Sequence, residues 1–298
     1  MKLAALDLGS NSFHLLVADV GSSGEIVKLG SQKESLRLGA VVQQLGQLSE
    51  PAFHAAYGSV KRLSGVARAL EAEKLLAVGT SALREARNGR AFCELCRDTL
   101  GVEIELLSGD DEARLAYLGA RSGLDFTSGR VLVVDIGGGS VELAVGEGPS
   151  CEQVQSLPLG FLRLAAGFRA SEPGGGRRLS RYVQVECEKA RWHLGRIDTV
   201  LLSGGTARTL SKLFGGGVAP ASAALVVELC ERMSAASPAS LVELGVDEAR
   251  ASTLGAGAAV VAGVLQGFGQ RELRVSPRGL REGLLLRELA RQAPHRAA

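Results

Sequence analysis

Short apolar runs recur along this chain, separated by turn-forming clusters and by stretches with a helical period. Leu3–Leu6, Leu75–Val78, Val131–Val134 and Val200–Leu202 are brief and continuous, the pattern of strands covered on both faces. Phe13–Val17 and Val141–Val145 alternate in part, as hairpin strands do. Helical spacing is found at Phe53, Tyr57, Val60, Leu63 and Ala67, behind a capping serine at Ser49. A strand is expected over Val102–Leu107, after which Ser108 can cap the helix GDDEARLAYLGA. In RAFCELCRDTL, the residues Phe92, Leu95, Cys96 and Leu100 read as one buried stripe. SGLDFTSG at 122–129 reads as a hinge, SEPGGGRRLS at 171–180 as a loop, and a long helix follows from about Arg181 to Leu194. The strand Val200–Leu202 stops at Ser203-Gly204-Gly205-Thr206, and a helix starts at Ala207. Strands alternating with helices predict an α/β protein.

An internal repeat adds the next layer. Residues 3–20 read LAALDLGSNSFHLLVADV and residues 131–147 read VLVVDIGGGSVELAVGE. At a constant offset of 128, Asp7 matches Asp135, Gly9 matches Gly137 and Ser12 matches Ser140. Each copy is a β-hairpin whose tight loop carries D-x-G-x-x-S. Two copies that open successive domain-sized segments predict two related domains.

Composition narrows the class. The chain has 298 residues, 46% hydrophobic and 22% charged, as a folded globular protein would. Its 39 glycines accompany only 8 prolines, which favours tight turns over a low-complexity chain. A net charge of +2 gives no electrostatic footprint for nucleic acid or a membrane surface. No uninterrupted apolar run reaches the roughly 18 residues of a membrane span, and Asp7 interrupts the one candidate for a signal peptide. Five cysteines make an odd, sparse set, so a disulfide framework is not expected and a reducing cytoplasm is. The Cys93-x-x-Cys96 pair reads as core packing.

The chemistry that suits the two loops is phosphate binding. Glycine lets backbone approach an anion, and successive N–H groups in a turn form a concavity for phosphate oxygens. The side chains of Ser10, Asn11, Ser12 and Ser140 add donors, beside the backbone of Gly137, Gly138 and Gly139. Asp7 and Asp135 next to a phosphate call for a cation between, and magnesium takes one or two carboxylates together with waters and phosphate oxygens. No G-x-x-x-x-G-K-[ST] is present. Gly204, Gly205 and Thr206 form a third candidate anion site at a helix N-terminus; a close strand–helix turn is the alternative.

In order along the chain, DLGSNSFHLLVAD, GTSALREARNG, SGDDEARLAYLGA, VVDIGGGSVEL, LLSGGTAR and VSPRGLREGLL resemble the exopolyphosphatase and guanosine-pentaphosphate phosphatase (Ppx/GppA) family. The resemblance runs from Leu3 to about Leu285. It implies an actin-like fold of the sugar-kinase and heat-shock-chaperone superfamily: two ribonuclease-H-like α/β domains flanking a central cleft, with domain I at 1–121 plus about 280–298 and domain II at 122–279. Longer members carry a helical C-terminal extension that resembles an HD phosphohydrolase domain; only the two-domain core is expected here.

The resemblance also assigns roles. Glu112 is the residue that activates water, with Asp110 and Asp111 as electrostatic neighbours. On the residues alone, all three carboxylates equally suit the positive end of a helix dipole. Glu142 matches an acidic position of the family's second loop and joins Asp7 and Asp135 as a candidate to hold magnesium, or else water; a solvent-facing strand carboxylate is the alternative. Arg84, Thr80 and Asn88 lie in a segment placed beside the cleft, and Arg84 suits bidentate phosphate contact. Lys33, Arg37 and the Arg177, Arg178, Arg181 cluster are weaker candidates, and His14 reads as packed. The expected activity is magnesium-dependent removal of terminal phosphate from polyphosphate, with Mn2+ as an alternative metal. Guanosine pentaphosphate is the alternative substrate, and a non-catalytic nucleotide sensor or an actin-like kinase are the rival classes. No nucleic-acid or membrane partner is expected; a homodimer is left open.

Overall fold

A computed structural model of the chain describes residues 1–124, 129–168, 175–213, 221–268 and 272–292. Packing of the Cα trace divides it into two units, Met1–Gly119 with Gly279–Ala298, and Ala120–Arg278.

The first unit is built on β1 (Lys2–Leu8), β2 (Ser12–Val20), β3 (Ile26–Ser35), α1 (Leu38–Leu45), α2 (Glu50–Ala69), β4 (Lys74–Gly79), α3 (Ser81–Glu85), α4 (Gly89–Leu100), β5 (Ile104–Leu106) and α5 (Gly109–Arg121). Its five strands lie in the order β3-β2-β1-β4-β5. The hairpin strands pair antiparallel and β1, β4 and β5 pair parallel. Strand alternation sorts β1 between two cores: Ala4, Leu6 and Leu8 face α2 and α4, while Leu3 and Ala5 face the opposite layer. Ser49 caps α2 as expected, accepting the Ala52 N–H at 3.4 Å. Ser108 caps α5, accepting the Asp111 N–H at 3.1 Å.

The second unit comprises β6 (Arg130–Ile136), β7 (Val141–Glu147), β8 (Ser150–Leu157), α6 (Phe161–Gly167), α7 (Gly175–Leu194), β9 (Thr199–Ser203), α8 (Gly204–Leu213), β10 (Ala221–Ser222), α9 (Ala223–Ala235), α10 (Pro238–Glu243), α11 (Glu248–Phe268) and β11 (Glu272–Val275). Its strand order, β10-β11-β9-β6-β7-β8, repeats that of the first sheet with one short strand added at an edge. The repeat in sequence is therefore a repeat in topology, with β6–β7 standing where β1–β2 stand. Helix α11 is apolar and long enough by composition to cross a membrane, yet 78% of its apolar window is buried inside this unit.

The last helix, α12 (Leu280–Gln292), returns to the first unit. Leu280, Leu284 and Leu285 pack on Leu3 and Ala5. Backbone of α12 meets backbone of α5: a Cβ on Gly119 would strike the Gly279 carbonyl, and one on Gly283 would strike the Leu115 carbonyl. Glycine at both positions is what brings the two helices together.

Three expectations are corrected. Helix α7 starts at Gly175, inside the stretch expected to be a loop, because Leu179 and Val183 bury on the core and tertiary packing overrides weak glycine propensity; residues 171–174 lie outside the described residues. Leu95 is exposed, and the buried stripe of α4 runs through Phe92, Cys93, Cys96 and Leu100. Helix α8 begins at Gly204, three residues before Ala207. Of the expected hinge, residues 125–128 also lie outside the described residues.

Candidate functional site

In the second unit, strand register assembles a polar row. Asp135 on β6 pairs with Glu142 on β7 and with Ser203 on β9, while Glu142 pairs with Ser156 on β8. The Ser203 hydroxyl donates to Asp135 Oδ1 at 2.8 Å, and the Ser156 hydroxyl donates to Glu142 Oε1 at 3.0 Å. Glu142 is only 1% exposed. Two carboxylates on adjacent strands, each steadied by a serine, open onto the turn Gly137–Ser140, which the Gly137 N–H closes on the Ser140 carbonyl at 3.1 Å. A Cβ on Gly204 would stand 2.8 Å from Asp135 Oδ1, so the start of α8 comes down directly on that carboxylate, with Gly204 at φ +90°.

The matching row in the first unit has different chemistry. Asp7 pairs with His14, and His14 with Lys33. At the offset of the repeat, His14 stands where Glu142 stands. The two hairpins share geometry, but one carries two carboxylates in its row and the other carries one carboxylate with two basic side chains. The Ser10 hydroxyl accepts the Ala82 N–H at 3.1 Å, which ties the first loop to the start of α3. Asn11 and Ser12 complete that loop, and Ser12 opens β2.

Glu112 lies in the first turn of α5 and is 6% exposed. Arg84 at the end of α3 reaches it, with Nη1 donating to Glu112 Oε2 at 3.1 Å and to the Leu107 carbonyl at 2.7 Å. Arg84, expected on a phosphate, thus holds a carboxylate. Asp111 engages the Ser108 hydroxyl at 2.6 Å and belongs to the helix cap. Asn88 uses both ends of its amide on Leu48, accepting from its N–H and donating to its carbonyl at 2.9 Å each, and anchors the approach to α2. Thr80 is buried ahead of α3. Arg177, Arg178 and Arg181 are exposed on α7, while Lys33 and Arg37 are exposed next to the first loop.

At the third candidate site, Gly204, Gly205 and Thr206 form the first turn of α8, where N–H groups lack intrahelical acceptors. Sequence reading missed Arg250 here. Its guanidinium packs on Gly205, 2.5 Å from where a Cβ would stand, and burial lowers its pKa against the opposing pull of Asp247. It also missed Arg163, whose Nε donates to the Gly139 carbonyl at 3.1 Å. Neither carries a local signal, since each meets its partner only through folding.

No group of three or more His, Cys, Asp or Glu side chains suited to a metal occurs among the described residues. The donor set nonetheless fits magnesium, which needs few protein carboxylates and completes its shell with water and phosphate oxygens. Asp135 with Glu142 meets that requirement, and Asp7 offers a single carboxylate in its own unit. Burial pushes the Cys93 thiol up to about 11 and the Cys96 thiol to about 12, so both stay protonated and inert at neutral pH.

Comparison with known proteins shows the family. The family model for the Ppx/GppA phosphatase family matches residues 16–292. Exopolyphosphatase 1 of Mycobacterium tuberculosis is 31% identical over 310 residues, covering 98% of this chain and 90% of its own length. The protein of the same name from Mycobacterium leprae is 32% identical over 312 residues, covering 98% and 91%. The crystal structure of the Aquifex aeolicus Ppx/GppA family member superposes with a TM-score of 0.85 at 27% identity, covering 98% of both chains. An exopolyphosphatase from Cytophaga hutchinsonii shares the fold with a TM-score of 0.87 at 23% identity, over 97% of this chain and 98% of its own. With two actin-like α/β units, duplicated D-x-G-x-x-S hairpins and these relatives, the chain is a phosphatase that belongs to the Ppx/GppA family.

Proposed function

We propose that this phosphatase is an exopolyphosphatase that hydrolyses the terminal phosphoanhydride of inorganic polyphosphate with magnesium and releases orthophosphate. The observation that carries the reading is the pair Asp135 and Glu142 beside the Gly137–Ser140 turn. A turn rich in N–H donors attracts phosphate, two carboxylates repel it, and the two are reconciled by a divalent cation between them. The exopolyphosphatase relatives at 31–32% identity support the substrate class.

In this reading Gly137, Gly138, Gly139 and Ser140 bind phosphate through backbone N–H groups, and Ser10, Asn11 and Ser12 form the equivalent phosphate-binding loop of the first unit. Gly204, Gly205 and Thr206 contribute N–H groups from the first turn of α8. Asp135 and Glu142 would hold the cation in the second unit, and Asp7 is the corresponding carboxylate of the first unit's loop. Bound magnesium supplies neutralisation of charge on the phosphate oxygens. Glu112 orients water and accepts its proton, with Arg84 steadying the carboxylate through Oε2. Phosphoryl transfer needs chiefly positioning and charge neutralisation, which this set of residues provides. The cytoplasm is the proposed compartment, in keeping with five free thiols.

Phosphate release from polyphosphates of several lengths, guanosine pentaphosphate, ATP and ADP, with and without magnesium, tests the reading. Magnesium-dependent release from polyphosphate is expected. Turnover restricted to guanosine pentaphosphate would replace the substrate, and binding without turnover would replace the enzyme with a sensor.

A further inference from the structure

The first turn of α6 lies against the three-glycine run. The Phe161 N–H donates to the Gly137 carbonyl at 3.1 Å, the Leu162 N–H to Gly138 at 2.9 Å, and Arg163 Nε to Gly139 at 3.1 Å. Three consecutive carbonyls are drawn to one donor segment. In a planar trans peptide, the C=O of one residue and the N–H of the next point in opposite directions. Securing the carbonyls of 137, 138 and 139 therefore turns the N–H groups of Gly138, Gly139 and Ser140 away from α6. Gly160 permits the approach, since a Cβ there would collide with the backbone of Gly138 and Gly139.

The first unit contains the same device. The Gly39 N–H donates to the Ser10 carbonyl at 2.8 Å, and the N–H groups of Leu36 and Arg37 donate to Asn11 at 3.0 and 2.9 Å. Ser10 and Asn11 precede Gly138 and Gly139 by the repeat offset of 128. Arg37 adopts a left-handed backbone, φ 53° and ψ 34°, to make this contact. An arginine holds such a conformation only where its surroundings impose it. The segment that leads from the third strand into the following helix thus secures loop carbonyls in both repeats.

We propose that Leu36–Gly39 and Gly160–Arg163 are positioning segments that orient the N–H groups of their own loop toward bound phosphate, and that Arg163 is the positioning side chain of the second loop. This rests on the phosphate-binding reading of the loops. Donors fixed before substrate arrives spare binding the cost of ordering the loop. Arg163 acts through the Gly139 carbonyl, so its loss loosens the loop without removing a contact to phosphate.

The experiment compares wild type with Arg163→Met and Arg163→Lys in four measurements. These are amide NMR of Gly138, Gly139 and Ser140 without ligand, polyphosphate kinetics with magnesium, inhibition by orthophosphate, and melting temperature. Expected in Arg163→Met are shifted, faster-exchanging loop amides, with KM and the orthophosphate inhibition constant raised roughly tenfold and kcat within about threefold. Melting temperature should stay within about 5 °C, and the salt dependence of KM should match wild type. Arg163→Lys keeps the charge but loses the Nε–H, so it should not restore KM. Loop amides that superimpose on wild type would overturn the proposal. So would full rescue by lysine, or a salt dependence weakened in the methionine variant, because either makes Arg163 a direct phosphate contact. If wild type releases no phosphate from polyphosphate, the functional reading falls, while the amide spectra still decide whether Arg163 shapes the loop.

Discussion

Arg84 and Glu112 form an ion pair, 3.1 Å between Nη1 and Oε2, that joins the end of α3 to the first turn of α5. Glu112 is the buried partner, and Arg84 is also fixed by the Leu107 carbonyl. The carboxylate proposed to activate water is thus held by an arginine 28 residues away in sequence.

Glu112→Gln keeps size and hydrogen-bonding reach but accepts no proton at neutral pH. Turnover should fall by roughly 10²- to 10⁴-fold while polyphosphate affinity holds or rises. Turnover and affinity measured on one purified sample decide this, and near-normal turnover would remove Glu112 from the chemistry.

Arg84→Met leaves the Glu112 carboxylate buried without its guanidinium. A double-mutant cycle with Glu112→Gln, read by denaturant unfolding, should give a coupling of about 1–3 kcal/mol. Additivity within experimental error would mean that the pair contributes nothing to the site.

Asp135→Ala, Asp7→Ala and Glu142→Gln should each weaken magnesium-dependent turnover without unfolding the protein. The effect on the magnesium activation midpoint should be larger for Asp135 and Glu142, which share one row, than for Asp7, whose row continues into His14 and Lys33. A midpoint that moves only in Asp7→Ala would reverse the assignment.

Gly283→Ala places a methyl group into the Leu115 carbonyl where α12 meets α5. Either the helices separate or the backbone distorts, and overpacking of this kind costs about 1–3 kcal/mol. Thermal unfolding checks it; an unchanged melting temperature would show that the contact yields easily.

Lys74 bonds Glu288 at 2.7 Å and docks α12 on β4. Burial pushes the Glu288 carboxyl up, but Lys74 and Gln292 together outweigh it and hold the group below its ordinary 4.5. A carboxyl lowered in the folded state stabilises above its unfolded pKa and loses that contribution as pH falls through the folded one. Lys74→Met should therefore cost about 1 kcal/mol at pH 7, with the gap to wild type closing below about pH 4.5. A gap that persists at pH 3 would trace the effect to packing of the lysine stem instead.

Much of this was legible along the chain because it depends on neighbours in sequence. Turn chemistry marked the two D-x-G-x-x-S hairpins, the serine caps at Ser49 and Ser108 reported their helices, and continuous apolar runs located β1, β4, β6 and β9. Periodicity was less informative where the choice was between positions on one helix, as with Leu95 against Cys93. The start of α7 was hidden because glycine propensity argued against a helix that core packing then imposed.

Local sequence was enough for the duplicated hairpin, the candidate carboxylates and the α/β class, since each follows from residues within a few positions of one another. What those groups do to each other depends on packing between distant elements. Strand register placed Asp135 beside Glu142 and Asp7 beside His14 and Lys33, making one row acidic and leaving a single carboxylate in its counterpart. Folding across 28 residues set Arg84 on Glu112, and across 24 residues it set Arg163 on Gly139. Such contacts leave no periodic trace, because a hydrogen bond between distant elements constrains two positions and nothing between them.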